Sequence, residues 1–290
     1  MSIFEQKLTS QKMIIGDGAM GTSLQKEGLA PGEAPEKWNI THPEKIIEVH
    51  ASFLNAGSEL IETNTFGASY VRLQQEGLES DFTALNQRAV QLAQKAAEAA
   101  GGDIIVAGSV GPTGKMLQPL GDLKPREAFS SYRRQISILA EEGVDVIIIE
   151  TITALEEMEQ ALAAASEVDI PVIAQMNFQE NKKTVMGIGV PEFVDLAEEY
   201  GVEVIGTNCT PGAEITVSII KEMKKNTDRP LSAFPNAGKP ELREGTVYYP
   251  EQPEDFANYV PEFEKSGVRI LGGCCGTTPE TIKAVKKKSQ

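Results

Sequence analysis

Three cysteines, Cys209, Cys274 and Cys275, are the only thiols in a chain of 290 residues. The first closes the run Thr207-Asn208-Cys209, and the other two stand side by side among glycines in Gly272-Gly273-Cys274-Cys275-Gly276. An odd count in a chain this long argues against a disulfide framework. In a reducing compartment three readings remain: buried small hydrophobes, a reactive thiol, or metal ligands. A cysteine nucleophile would need a base, and only His42 and His50 are available. His42 begins a helical segment and His50 falls on its apolar face, so neither is placed for that role. The metal reading carries definite chemistry. Three thiolates around Zn²⁺ leave one corner of the tetrahedron open. Such a unit has a net negative charge, which makes it a poor Lewis acid for hydrolysis. It suits holding a fourth sulfur as a thiolate that attacks carbon. The flanking glycines let the backbone turn so that adjacent thiols face one ion. The spacing is not C-x-x-C, and on the residues alone the buried and the ligand readings both stand.

The elements that must position these thiols alternate in kind along the chain. Short apolar, often β-branched runs occupy Met13 to Ile15, Glu59 to Ile61, Ile104 to Ala107, Val144 to Ile149, Pro171 to Gln175, Val202 to Ile205, Leu231 to Phe234 and Arg269 to Leu271. Runs of this type suit strands buried on both faces of a parallel sheet. Between them lie segments with helical spacing: Ile46 to Leu54, Leu85 to Ala97, Phe129 to Leu139, Leu155 to Leu162, Phe193 to Tyr200, Ile215 to Met223, Phe256 to Phe263 and Ile282 to Val285. Prolines near the helix starts, such as Pro43, Pro125 and Pro279, and glycines before the strands, such as Gly57, Gly143 and Gly201, punctuate the pattern. Strict alternation at a length near the typical ~250 residues predicts an α/β fold of the (β/α)8 TIM-barrel kind, with residues 1–290 as a single domain. A doubly wound sheet is the runner-up. Gly16-Asp17-Gly18-Ala19-Met20-Gly21 formally satisfies its phosphate-loop pattern, but no acidic residue follows a second strand in the right setting. The stretch from Asn236 to Pro253 reads as a loop.

In a barrel the strand ends carry the chemistry. Here they read Asp17-Gly18-Ala19, Glu62-Thr63-Asn64, Gly108-Ser109, Glu150-Thr151, Asn177, Asn208-Cys209, Asn236 and Cys274-Cys275, so all three cysteines are rim residues. Composition removes other classes of function. With 27 Lys plus Arg against 42 Asp plus Glu the net charge is −15, the wrong sign for nucleic acid or an anionic membrane. No segment approaches the roughly 20 apolar residues of a membrane span. The N-terminus has no basic start followed by an apolar stretch, so a cytoplasmic location is expected.

The combination of GTNCTPG (206–212) with GGCCGTTPE (272–280) is specific. Together with GDGAMGTSLQ (16–25), ETNTFGAS (62–69), GSVGPTG (108–114) and FPNAGKPE (234–241), it resembles the homocysteine S-methyltransferase family, most closely the homocysteine-binding module of cobalamin-dependent methionine synthases. The resemblance runs from one end of the chain to the other. It implies zinc on Cys209, Cys274 and Cys275, with Asn236 able to take the fourth position before the sulfur of homocysteine arrives. It also implies that Asp17 and Glu150 meet the substrate ammonium. Backbone N–H groups near Gly18 and Ala19, with the Ser109 region, are implied for its carboxylate. Asn177 is a weaker substrate-binding candidate. The implied reaction is methyl transfer to homocysteine, giving methionine. The methyl donor, methylcobalamin or methyltetrahydrofolate, would be supplied by another domain or protein, because no cobalamin-binding Asp-x-His-x-x-Gly is found. The alternatives are an S-methylmethionine-dependent enzyme, a related enzyme acting on another acceptor such as selenocysteine, or a non-catalytic zinc-binding interaction module.

Overall fold

A computed structural model describes residues 2–243 and 246–290. Eight parallel strands run in one sheet: β1 Ile14–Ile15, β2 Leu60–Glu62, β3 Ile105–Val110, β4 Val146–Ile152, β5 Val172–Met176, β6 Val204–Asn208, β7 Leu231–Phe234 and β8 Val268–Leu271. Each of β2 to β7 pairs with its neighbour in sequence, β7 pairs with β8, and β8 pairs with β1. No ladder joins β1 to β2. That seam is closed instead by Glu59 N–H donating to Ile15 O (2.7 Å), Ile15 N–H to Glu59 Oε2 (3.3 Å) and Ser58 Oγ to Gly16 O (3.2 Å). The result is the expected (β/α)8 barrel, nearly closed.

Every expected helical segment is present. One is divided: the span after β7 becomes Pro253–Ala257 and Val260–Lys265. Pro261 explains the break, since it offers no N–H and its ring crowds the carbonyl four residues back, so it is tolerated only in a first turn. The region expected as a loop from Asn236 to Pro253 contains an antiparallel hairpin, Glu241–Arg243 with Thr246–Tyr248, and Glu244 and Gly245 lie outside the described residues. A helix not foreseen, Ile3–Ser10, is capped by Ser2 and Glu5. Among the described residues no helix is long and apolar enough to cross a membrane.

The period-two alternation of strand side chains sorts the core into two layers. Leu60, Ile105, Ala107, Val146, Ile148, Ile173, Val204, Phe234 and Ile270 form the buried barrel interior, with Phe4 of the first helix packed among them. The residues between them, such as Ile61, Val106, Ile147, Ile149, Ala174, Ile205 and Leu271, pack outward under the helices. The first helix thus seats an aromatic ring against the interior. Continuing the inward alternation to the C-terminal strand ends brings Glu62, Ser109, Glu150 and Asn208 to the inner rim, so the barrel turns from apolar to polar along its axis. Phe234 lies at that boundary. A Cβ on Gly272 would stand 2.3 Å from its ring, so only glycine allows the ring to lie there.

One buried group tests this packing. His50, on helix Pro43–Ala56, is fully buried, and neither ring nitrogen has a hydrogen-bond partner. Burial pushes its pKa down to about 4. The unfolded chain, with a histidine pKa near 6.5, therefore takes up a proton that the folded chain refuses. The neutral side chain carries no penalty above pH 6.5, and stability is lost as pH falls from there toward 4. His50→Leu should reduce the difference in unfolding free energy between pH 7 and pH 4.5 by about 2 kcal/mol, measured by urea denaturation at the two pH values.

Candidate active site

The polar end of the barrel encloses a cavity of about 540 Å³. Asp17, Gly18, Ala19, Ser109 and Glu150 line it, together with all three cysteines. The three Sγ atoms lie within 4.8 Å of one another, with Cys209 and Cys275 3.8 Å apart.

This convergence depends on two backbone turns. After β6 the chain enters the left-handed region at Cys209, with φ +56°. A non-glycine residue there costs about 1 kcal/mol or more, so the turn must be held by its surroundings. Cys209 N–H donates to Phe234 O (2.9 Å), and its carbonyl accepts from Asn177 Nδ2 (2.8 Å) and Asn236 Nδ2 (3.2 Å). After β8, Cys274 N–H donates to Pro235 O (2.8 Å), Thr277 Oγ1 donates to Cys274 O (2.7 Å), and Ala237 N–H donates to Cys275 O (3.0 Å). The Tyr249 ring packs where a side chain on Gly276 would be, and its hydroxyl hydrogen-bonds Cys275.

Thiols this close cannot ionise independently. Hydrogen bonds with the Cys209 and Cys274 thiols favour the thiolate of Cys275, whereas hydrogen bonding to Cys209 and Cys275 together with burial pushes Cys274 well above the ordinary thiol range. A bound cation would lift this restriction. A further donor is available nearby: Asn236, whose amide nitrogen bonds the Cys209 carbonyl, has a buried Oδ1 without a hydrogen-bond partner, although the residue does not line the cavity. Three sulfurs and one orphaned amide oxygen form a donor set suited to a soft, tetrahedral ion such as zinc.

The other half of the cavity is acidic. Asp17 Oδ2 accepts from Glu62 N–H (3.0 Å). Glu150 accepts from Ser109 Oγ (2.5 Å) and Asn208 Nδ2 (3.0 Å), and it is hydrogen-bonded to the Glu62 carboxyl. Burial, with the nearby Glu150 charge, pushes Asp17 up to about 8. Burial and the charges of Glu150 and Asp17 push Glu62 well above the carboxylate range, and burial raises Glu150 as well. Among the described residues no lysine, arginine or histidine pairs with any of the three. Such a patch suits a cationic ligand.

Two expected contacts fall elsewhere. Asn177 does not line the cavity: its amide nitrogen bonds the carbonyls of Asn208 (3.2 Å) and Cys209 (2.8 Å), which makes it a clamp on the cysteine turn. Ala19 N–H donates to Thr277 Oγ1 (3.2 Å), tying the loop after β1 to the loop after β8. The donors left near Gly18 are the first-turn N–H groups of helix Met20–Lys26, which have no intrahelical acceptor. Glu62, Asn208, Thr277 and Tyr249 were not singled out from the sequence. For Glu62 and Asn208 the strand alternation held the signal; for Thr277 and Tyr249 no pattern did.

A profile of the family described as homocysteine S-methyltransferase matches residues 14–289. The chain is 31% identical over 302 residues to the homocysteine S-methyltransferase of Escherichia coli K12, covering 97% of each chain. It is 30% identical over 292 residues to the methionine synthase of Mycobacterium leprae, covering 95% of this chain and 24% of that protein. The chain therefore spans about a quarter of the length of that relative. The crystal structure of the E. coli homocysteine methyltransferase MmuM in its metallated form superposes with a TM-score of 0.85 at 26% identity, covering 99% of each chain.

Asn208 holds several of these parts at once. Besides Glu150, its amide nitrogen bonds Thr151 Oγ1 (2.6 Å), and its Oδ1 accepts from Thr151 N–H (2.8 Å), where Thr151 is itself left-handed at φ +60°. Asn208→Ala leaves Glu150 and the Thr151 N–H short of partners inside the barrel. Equilibrium denaturation should show a loss of about 2 kcal/mol.

Proposed function

This chain belongs to the homocysteine S-methyltransferase family, and on that premise we propose that it catalyses zinc-dependent transfer of a methyl group to the thiolate of homocysteine, giving methionine. The observation that carries the reading is the meeting, in one cavity, of three thiols within 4.8 Å of each other and two buried carboxyls, Asp17 and Glu150. Homocysteine has a sulfur at one end and an ammonium at the other, and the two halves of the cavity answer to those two groups.

Cys209, Cys274 and Cys275 would hold the zinc, with Asn236 Oδ1 as the fourth donor until substrate replaces it. Zinc so held supplies positive charge that keeps an incoming thiol deprotonated near neutral pH. The residues of the chain do the rest. Asp17 and Glu150 receive the ammonium, and Ser109 and Asn208 keep the Glu150 carboxyl in place for it. Gly18 and the first turn of helix Met20–Lys26 receive the carboxylate. Phe234 covers the apolar side of the cavity and keeps water from the sulfur. The thiol proton leaves to solvent. The sulfur–methyl bond then forms as the donor–methyl bond breaks, with the electron pair of that bond leaving on the donor.

We further propose that the methyl group arrives on cobalamin or methyltetrahydrofolate borne by another domain or protein. The match to a quarter of a methionine synthase supports this. The end-to-end match to the E. coli enzyme supports the second reading, a small-molecule donor such as S-methylmethionine. Supplying methylcobalamin, methyltetrahydrofolate and S-methylmethionine separately to the zinc-loaded chain, and measuring methionine, distinguishes the two.

Metal analysis of freshly reduced protein should find about one zinc per chain, lost in Cys209→Ser and Cys274→Ser. Homocysteine added to the zinc form should release a proton, and in a cobalt-substituted sample it should shift the absorption spectrum. A metal that ignores homocysteine would be structural, and the chain would then be an interaction module.

A further inference from the structure

Glu62 has no role in the reading above, yet it sits between the two carboxyls that do. Its backbone N–H donates to Asp17 Oδ2 (3.0 Å), and its side chain is hydrogen-bonded to Glu150. It ends β2 at the inward position above Leu60 and lines the same cavity as Asp17 and Glu150. No cationic side chain pairs with it among the described residues. A carboxyl in such surroundings is costly unless something compensates it. One bond to Glu150 occupies one of its oxygens and leaves the other for a ligand.

The ligand's own chemistry supplies a count. A primary ammonium has three N–H donors in a tetrahedral array. Asp17 and Glu150 accept two of them, and a third left unmatched against their buried carboxyls would carry a desolvation cost. From this we infer that Glu62 is a further substrate-binding residue. It accepts the third N–H of the substrate ammonium, so that Asp17, Glu62 and Glu150 form a three-carboxyl cage that makes the site selective for α-amino thiols over simple thiols. The inference rests on the proposed function, because it takes the cavity to bind an amino acid. It does not rest on the acidic cluster alone, since the thiol half of the same cavity points to a ligand independently.

The test compares two probes of similar size, L-homocysteine and 4-mercaptobutyrate, which has the same thiol and carboxylate without the amine. Binding of each to zinc-loaded protein is measured by calorimetry for the parent chain, Glu62→Gln and Glu62→Asp, with zinc content and melting temperature recorded for each. The parent should prefer homocysteine. Glu62→Gln should weaken homocysteine about tenfold or more, the loss expected for one charge-assisted hydrogen bond, while 4-mercaptobutyrate binds as before. Glu62→Asp, which keeps the charge but draws it back, should fall between. Equal weakening of both probes, or no change in either, in a variant that retains zinc and its melting temperature overturns the role of Glu62. If Glu62→Gln does not fold, Glu62→Asp decides by the same two criteria. A parent chain that binds both probes equally overturns the ammonium pocket itself, and Glu62 with it. One that binds neither overturns the proposed function.

Discussion

The site is governed by repulsion between groups of like charge in a space too dry to screen them. Two thiolates 3.8 Å apart, as Cys209 and Cys275 would be, repel by about 4 kcal/mol at an effective dielectric constant of 20, or roughly three pKa units. Three cannot be thiolates together without a cation. Across the cavity burial likewise opposes ionisation of Asp17, Glu62 and Glu150, and the Glu150 charge adds to the effect on the other two. Each half of the cavity is therefore incomplete in the same sense. The sulfur half calls for a metal ion and the carboxyl half for an ammonium, and a molecule with both a thiol and an ammonium can engage the two halves at once.

Groups that repel must be held together by something else, and the barrel does this with neutral hydrogen bonds rather than with counter-ions. The left-handed turn at Cys209 is fixed by three hydrogen bonds from the ends of β5 and β7, two of them through the amides of Asn177 and Asn236. Thr277 bonds the loop of Cys274 and accepts from the loop of Asp17, so the thiol and carboxyl halves share a support. Asn208 precedes a cysteine in sequence and grips Glu150 through its side chain. Displacing any one of these neutral amides or hydroxyls would move a thiol relative to a carboxyl. That distance is what a substrate of fixed length must match.

Most of this frame is legible in the sequence, because it is written in periodicities. The apolar runs that suit buried parallel strands mark all eight barrel strands, and their polar ends place the cysteines on one rim. The alternation within each strand also carries information about the inner rim. Glu62 and Asn208 share the inward phase of Leu60 and Val204, just as Glu150 shares that of Ile148. The remainder is not periodic. Thr277 and Tyr249 reach the site from loops whose path is set by tertiary packing, and the hairpin that delivers Tyr249 follows a stretch of Gly, Lys and Pro that reads as coil. Asn177 is a different case. Its position at a strand end suggested substrate, but whether an amide faces a cavity or a neighbouring carbonyl depends on the conformation of Cys209, which no local pattern encodes.

A cavity that concentrates uncompensated polar groups is held at the expense of stability, and the layered barrel shows where the compensation lies. The interior below Phe234 is mostly apolar, broken by a buried hydrogen bond from Gln175 Nε2 to Ser232 Oγ (2.9 Å), and the first helix adds Phe4 to it. The seam between β1 and β2, which lacks a ladder, is reinforced by Glu59, which also takes Lys286 of the last helix (3.0 Å). The apolar packing therefore lies below Phe234, toward the N-terminal ends of the strands, and the buried polar groups lie at the C-terminal ends. Ligands that neutralise the upper half bind the folded chain alone, and so add their binding free energy to its stability.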